Sequence, residues 1–227
     1  MLAHVNGAQW IGPSGRAADR VRGVGRGGPA GGRTGVSRRQ EVTAYVRNPA
    51  KLTAGDPRLT VIAGGLDDRE SVRAAVRGAD AVISALGPSL DRRTTGMPLV
   101  GGTQNIVDAM RAEGVSRFIG LATPSLREPR DRPSVLGWLV PLLGRALFPR
   151  AYRELLAMSQ IVVDSPLDWT IARFVRPTNG PATGTIRAGF LGRDKVGSTI
   201  TRADIAAFLL DQLTDTRFRR AAPAISN

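Results

Sequence analysis

From Glu41 onward the hydrophobic pattern changes period at regular intervals, and each change marks an element. Glu41 to Val46 alternates apolar and polar positions and predicts a strand, and Leu59 to Ala63 reads as another. Ala81 to Leu86 is a short continuous apolar run that stops at Gly87-Pro88, the pattern of a strand buried on both faces of a parallel sheet. Arg117 to Ala122 and Trp169 to Ala172 predict further strands, and Ala222 to Ser226 a short terminal one. Between them lie helical stretches: Glu70 to Val76, Val100 to Ala112 with Ile106, Val107 and Met110 on one side, and Glu154 to Val163. Asp67 or Asp68 is placed to cap the first of these, and Thr201 with Asp204 suits a capping box at the last helix. Ala50 to Leu52 reads as one turn of helix and Asp91 to Gly96 as a polar loop. Alternation of strand and helix predicts an α/β fold, a Rossmann-like doubly wound parallel sheet forming one domain over residues 41–227.

The first forty residues lack such a pattern. They hold ten of the 27 glycines, and apart from Leu2 to Val5 and Trp10-Ile11 they show no apolar periodicity. Little order is expected there, and the sheet is expected to lack its first strand, normally its middle one. Gly12-Pro-Ser-Gly15-Arg16 hints at a phosphate-binding turn without the strand and helix that would give it meaning. Residues 1–40 therefore read as a basic Gly/Arg-rich segment, either disordered or translated out of frame. Codons for Arg22 to Pro29 read one base later permit Gly-Ala-Ser-Gly-x-x-Gly-Arg, the missing glycine loop. The alternative is a natural basic extension that contacts nucleic acid.

Charge and composition narrow the classes. The net charge is +13, but residues 1–40 carry seven Arg against the single Asp19, and the rest is spread thinly. Arg-heavy usage also fits a GC-rich genome, so nucleic acid is not the expected partner. No cysteine is present, which excludes disulfides and thiolate chemistry and fits the cytoplasm. His4 is the one histidine, so no metal site is expected. No apolar run has membrane-spanning length and no secretory signal is visible, so neither a membrane nor export is expected. Pro133 to Pro149 is unusually apolar and is expected foremost to pack in the core, with the wall or lid of an apolar pocket, or a dimer contact, as alternatives.

The candidate chemistry gathers where strands end. In open α/β sheets the ligand crevice lies outside the carboxyl ends of the strands. Gly87, without a Cβ, lets backbone approach a flat ring or a phosphate closely. Arg47, before Asn48-Pro49 at the end of its strand, sits where a dinucleotide's ribose lies and can pair with a 2′-phosphate, which favours NADP(H) over NAD(H). A solvated Arg at a strand end is the alternative.

The series Val42-Thr-Ala-Tyr-Val-Arg-Asn-Pro-Ala-Lys-Leu52, Gly64-Gly-Leu-Asp-Asp-Arg-Glu-Ser-Val72, Gly78 to Pro88 and Trp169-Thr-Ile-Ala-Arg173 resembles atypical short-chain dehydrogenase/reductases. It is most similar to the NAD(P)H-binding group that includes biliverdin reductase B/flavin reductase and the NmrA-like proteins, over residues 41–227. The resemblance implies a Rossmann sheet binding NADP(H), with Arg47 at the 2′-phosphate, Gly65, Leu66 and Asp67 near adenine, and Asn48 and Thr123 among the cofactor contacts. It places Ala85, Leu86, Gly87 and Pro88 beside the nicotinamide ribose, and Arg173, Phe174 and Val175 in the exit loop over the nicotinamide. Arg173 has a structural ion pair as its alternative. Two features depart from the pattern: the glycine-rich loop is unrecognisable in the given frame, and the position after Gly64, often acidic, is Gly65.

In the wider superfamily a Ser or Thr after the fifth strand polarises the substrate carbonyl, and a Tyr with a Lys four residues on donates the proton. Thr123 or Ser125 can take the first role. Tyr152 is followed four residues later by Leu156, so the pair is absent and Tyr152 is expected to pack or to line the site. Without a neighbouring ammonium, a phenol with a reference pKa of about 10 is a poor acid at neutral pH. The implied activity is reduction of a small conjugated or carbonyl substrate, quinone- or flavin-like, by direct hydride transfer, with protons from Thr123, Ser125 or water. The alternative is a non-catalytic NADP(H)-sensing regulator. Either would act as a monomer or homodimer.

Overall fold

A computed structural model describes residues 2–6, 41–49, 59–91 and 93–227. The expected turn at Ala50 to Leu52, the Gly12 to Arg16 fragment and the reframed loop at Arg22 to Pro29 all lie outside the described residues. The elements in order are β1 (Leu2–Asn6), β2 (Glu41–Val46), β3 (Leu59–Ala63), α1 (Arg69–Val76), β4 (Ala81–Ser84), α2 (Pro98–Ala112), β5 (Arg117–Ala122), α3 (Val135–Leu147), α4 (Pro149–Val163), β6 (Asp168–Arg173), β7 (Arg176–Thr178), β8 (Arg187–Gly189), β9 (Thr199–Thr201), α5 (Arg202–Asp211) and β10 (Ala224–Ser226).

Eight strands form the main sheet in the order β3-β2-β1-β4-β5-β6-β10-β8, and β7 pairs with β9 beside it. The pairs β2 with β3, β4 with β5 and β5 with β6 are parallel, so their carboxyl ends share one edge. This is the doubly wound architecture read from the sequence. One expectation is corrected: the middle position is filled, by Leu2–Asn6, which runs antiparallel to both β2 and β4. Asn6 lies opposite Glu41, at the edge where the parallel strands begin. Apolar pattern fixes which faces of a strand are buried, not the direction in which it pairs.

Both faces of the sheet are covered, as the uninterrupted apolar strands require. Val82 of β4 and Phe118 of β5 pack with Ile106 and Met110 of α2 and Val72 and Val76 of α1. Their neighbours Ile83 and Ile119 point the other way, against Ile205, Phe208 and Leu209 of α5. The caps follow the side-chain chemistry. Asp68 caps α1 by accepting from Ser71 N at 3.0 Å. The N-terminus of α2 has no cap of its own; Glu154, reaching from α4, accepts from Leu99 N at 2.9 Å.

The expectation for Pro133 to Pro149 is also corrected. It forms α3, which carries Pro141 in its interior, and none of its residues is buried. The helix stands over the carboxyl edge of the sheet instead of packing in the core.

At α5 the expected capping box is built on one side only. Thr201 Oγ1 accepts from Asp204 N at 3.0 Å, but Thr201 N donates to Asn227 Oδ1. The buried Asp204 carboxylate instead receives Thr201 Oγ1, Thr183 N and Oγ1, Gly184 N and Asn227 Nδ2, tying the 183–185 turn and the C-terminal residue to the helix. Burial works to raise its pKa, and hydrogen bonds from Thr183, Thr201 and Asn227 outweigh it, holding the carboxyl below its ordinary value of 3.8. Because the folded state binds that proton less well, the stabilisation is complete above the ordinary value and fades as pH falls through the lower, folded-state one. Asp204→Asn should therefore lower stability at neutral pH by about 2 kcal/mol. Thermal midpoints of the two proteins measured across pH should converge in acid; a gap independent of pH would contradict this account.

Candidate active site

Strand ends position the site. The turns that follow β4, β5 and β6 all leave the carboxyl edge, and between them lies a cavity of about 610 Å³. Ala85, Leu86, Gly87 and Pro88 form one side, Leu121 to Thr123 with Ser125 the next, and Phe174 and Val175 the third. Val140, Leu143, Gly144 and Leu147 of α3 make the outer wall, and Ala151, Tyr152 and Leu155 of α4 complete it. The α3 stretch is thus the pocket wall that the sequence offered as an alternative. Size and apolar lining match a site for a flat organic molecule.

The sparse polar groups are aimed inward. Thr123 Oγ1 accepts from Ser125 N at 3.3 Å, and its own proton remains available. No hydrogen bond among the described residues engages the Ser125 hydroxyl, which stands 3.8 Å from where a Cβ on Gly144 would lie. The Tyr152 ring is 3.2 Å from that same point, so Gly144 lets α3 close on the Tyr152 and Ser125 side chains. Leu156 takes the place of a lysine one turn beyond Tyr152 on α4.

Gly87 answers the question of fit for a nicotinamide. A Cβ built there meets nothing within 4 Å, so this backbone faces open cavity with room for a ring or ribose. That space would accommodate the nicotinamide end of a dinucleotide, and the stretch whose reframed codons permit a glycine loop, Arg22 to Pro29, lies outside the described residues.

The second group of expected residues lies on the same sheet edge but outside this cavity. Arg47 and Asn48 follow β2, and Arg47 is exposed. Gly65, Leu66 and Asp67 follow β3, and their turn is held from two sides: Tyr45 Oη donates to Gly65 O at 2.7 Å and Asn105 Nδ2 to Leu66 O at 2.7 Å. Burial, then the charges of Asp68 and Asp67, push the Tyr45 pKa upward, which keeps its proton on for that bond. A side chain at Gly64 would overlap the Tyr45 ring, and one at Gly65 the Asp67 carboxylate. The space where the resembled proteins often carry an acid is thus taken by Asp67.

Arg173 is a correction. It does not line the cavity; it is fully buried and its guanidinium grips Asp131 through two bonds, Nη1 to Oδ2 at 2.6 Å and Nη2 to Oδ1 at 2.8 Å. Nε donates to Ala222 O and Nη1 to Leu126 O. The structural ion pair left open in the sequence is what forms, with a partner 42 positions earlier in the chain. Conversely, Arg202 and Leu90 line the cavity and were not singled out. Arg202 was findable: the Thr201 cap puts it at the first position of the last helix, and hence at this edge.

Comparison with known proteins agrees with the geometry. The model of the NAD(P)H-binding family matches residues 32–216. This chain belongs to the NAD(P)H-binding family. Oxidoreductase ptaF of Pestalotiopsis fici is 23% identical over 191 residues, 79% of this chain and 71% of that protein. A short-chain dehydrogenase/reductase of Veillonella parvula, solved in complex with NADP, superposes with a TM-score of 0.62 at 19% identity, covering 82% of each chain. ChuY, an anaerobillin reductase from Escherichia coli O157:H7, gives 0.63 at 21% identity over 81% of this chain and 83% of its own. At these identities the solved structures share the fold. Among the described residues no three His, Asp or Glu side chains are grouped to hold a metal ion.

Removing Asp131 leaves a buried guanidinium unpaired. Asp131→Ala should cost about 3–5 kcal/mol in urea unfolding, whereas Arg173→Met with Asp131→Leu, which removes both charges, should recover most of it. Equal losses in the single and double variants would show that the pair does not act as a unit.

Proposed function

We propose that this chain is an NADP(H)-dependent reductase of a small conjugated or carbonyl substrate, quinone- or flavin-like. The observation that carries the reading is the apolar cavity at the carboxyl edge, in which Gly87, Thr123, Ser125 and Phe174 converge. When bound, NADPH supplies a hydride. Arg47 and Asn48 hold the 2′-phosphate, the clamped Gly65-Leu66-Asp67 turn supports adenine, and Ala85 to Pro88 face the nicotinamide ribose. Phe174 and Val175 cover the ring and exclude water. Thr123 and Ser125 donate hydrogen bonds to the substrate oxygen, where negative charge develops, and pass on a proton from solvent. Acceptors that delocalise charge need orientation more than a strong acid, which suits a site without a Tyr-Lys pair.

That same absence favours a second reading, a non-catalytic NADP(H) sensor of the NmrA-like kind: Leu156 stands where an ammonium would activate Tyr152. The two readings separate on turnover. NADPH oxidation is followed by absorbance with benzoquinones, naphthoquinones and FMN, for the full chain and for Thr123→Val and Ser125→Ala. The reductase reading predicts turnover with at least one acceptor and a loss of about tenfold in kcat/KM in at least one variant. Tight NADPH binding with no turnover on any acceptor would sink it in favour of the sensor.

A further inference from the structure

Helix α3 turns an apolar face to solvent. Five of the eight large apolar side chains that stand exposed among the described residues are on it, with Val135 74% and Trp138 68% exposed. Val135, Trp138 and Leu142 recur at i, i+3 and i+7 and so form one stripe, which Arg145 continues three residues on. Leu143 and Leu147 are exposed and also line the cavity, so the apolar surface runs unbroken from the outer stripe to the cavity mouth.

Along the chain through this face the charges are basic, and exposed Asp91 lies beside its C-terminal end with Ala146, Leu147 and Phe148. From Arg132 to Arg153 the sequence has four arginines and neither Asp nor Glu. Arg150 is paired with Glu154, but Arg132, Arg145 and Arg153 are exposed and have no carboxylate partner among the described residues. A second copy docking by two-fold symmetry would set these arginines against their own kind. A surface that is apolar inside and anionic outside complements them.

We propose that α3 is a membrane-contact helix that lies flat on an anionic lipid bilayer. Its 13 residues span about 20 Å, short of the roughly 30 Å hydrocarbon core, and no helix among the described residues is long and apolar enough to cross a membrane. Val135, Trp138 and Leu142 enter the boundary between headgroups and acyl chains, where an indole is at home. Arg145 and Arg153 extend to lipid phosphates with their stems along the apolar surface. The cavity mouth then opens toward the lipid, so an acceptor dissolved in the bilayer enters without crossing water. That last consequence rests on the reductase reading; membrane contact itself does not.

Co-sedimentation of the full chain with vesicles of phosphatidylcholine alone, and of equal parts phosphatidylcholine and phosphatidylglycerol, tests the contact without any turnover. The wild type should partition onto the mixed vesicles and far less onto the neutral ones. Trp138→Ser with Leu142→Ser should lower that partition by about tenfold or more, and Arg145→Ser by about fivefold. Both replaced apolar residues are solvent-exposed, so thermal midpoints should not move. The double variant keeps all 32 Lys and Arg; if it binds like the wild type, charge alone is responsible and the assignment to α3 is wrong. Binding to neither vesicle also overturns it, as does a dimer in sedimentation velocity that the double variant dissociates, which would mean that a second copy covers α3.

Discussion

The pair between Arg173 and Asp131 is the constraint on which the cavity depends. Arg173 closes β6, and through its guanidinium it fixes three separate stretches: Asp131, the Leu126 carbonyl after the Thr123 turn, and the Ala222 carbonyl before β10. Asp131 in turn accepts from Leu191 N, and Glu128, three residues before it, accepts from Ala222 N at 2.7 Å. A charge with no exposure is tolerated only when its donors are met, so each segment holds the others in register. Thr123 and Ser125 leave this knot on one side and Phe174 and Val175 on the other. The loops that frame the cavity are positioned by a group that does not line it.

Around this knot the parallel strands supply a shared edge and the apolar wall comes from elsewhere. Gly87 and Gly144 act oppositely: one leaves open space beside the backbone, while the other brings α3 against Tyr152 and Ser125. Glu154 and Arg150 of α4 secure the far side, where Glu154 caps α2 and Arg150 donates to the carbonyls of Ser89 and Gly96. The loop between β4 and α2 is thereby anchored next to a cavity whose lining is otherwise apolar. On the proposed reading, such an arrangement orients a flat, delocalised molecule more than it protonates one.

How much could be read in advance varied with how local each cause was. Strands β2, β3 and β5 have the bounds that alternation and apolar runs predicted, because a strand's pattern records its own two faces. Strand β4 stops at Ser84; Ala85 and Leu86 continue the apolar run because they line a cavity, and a one-dimensional pattern cannot separate the two causes. The same blindness made α3 read as core, since apolar residues look alike whether they face protein or solvent. Helix α4 begins at Pro149, a first-turn proline that signals a start and went unused. The three-residue strands β7, β8 and β9 are too short to show a period. The placement of Ala85 to Pro88, Thr123, Ser125, Phe174 and Val175 along the cavity was legible because strand ends in this architecture converge. Arg173 was not, because its role is set by a partner far along the chain.

The central claim is that the open space beside Gly87 receives the nicotinamide end of the cofactor, and Gly87→Leu tests it most directly. A side chain there meets no protein atom near its Cβ and the backbone is not left-handed, so the fold should be unaffected. Titration of the wild type with NADPH should enhance and blue-shift the nicotinamide fluorescence as the ring enters an apolar site. The account predicts that Gly87→Leu keeps the thermal midpoint but loses this signal, with affinity weakened by about tenfold or more. An unchanged titration would place the cofactor elsewhere and contradict the assignment of this cavity.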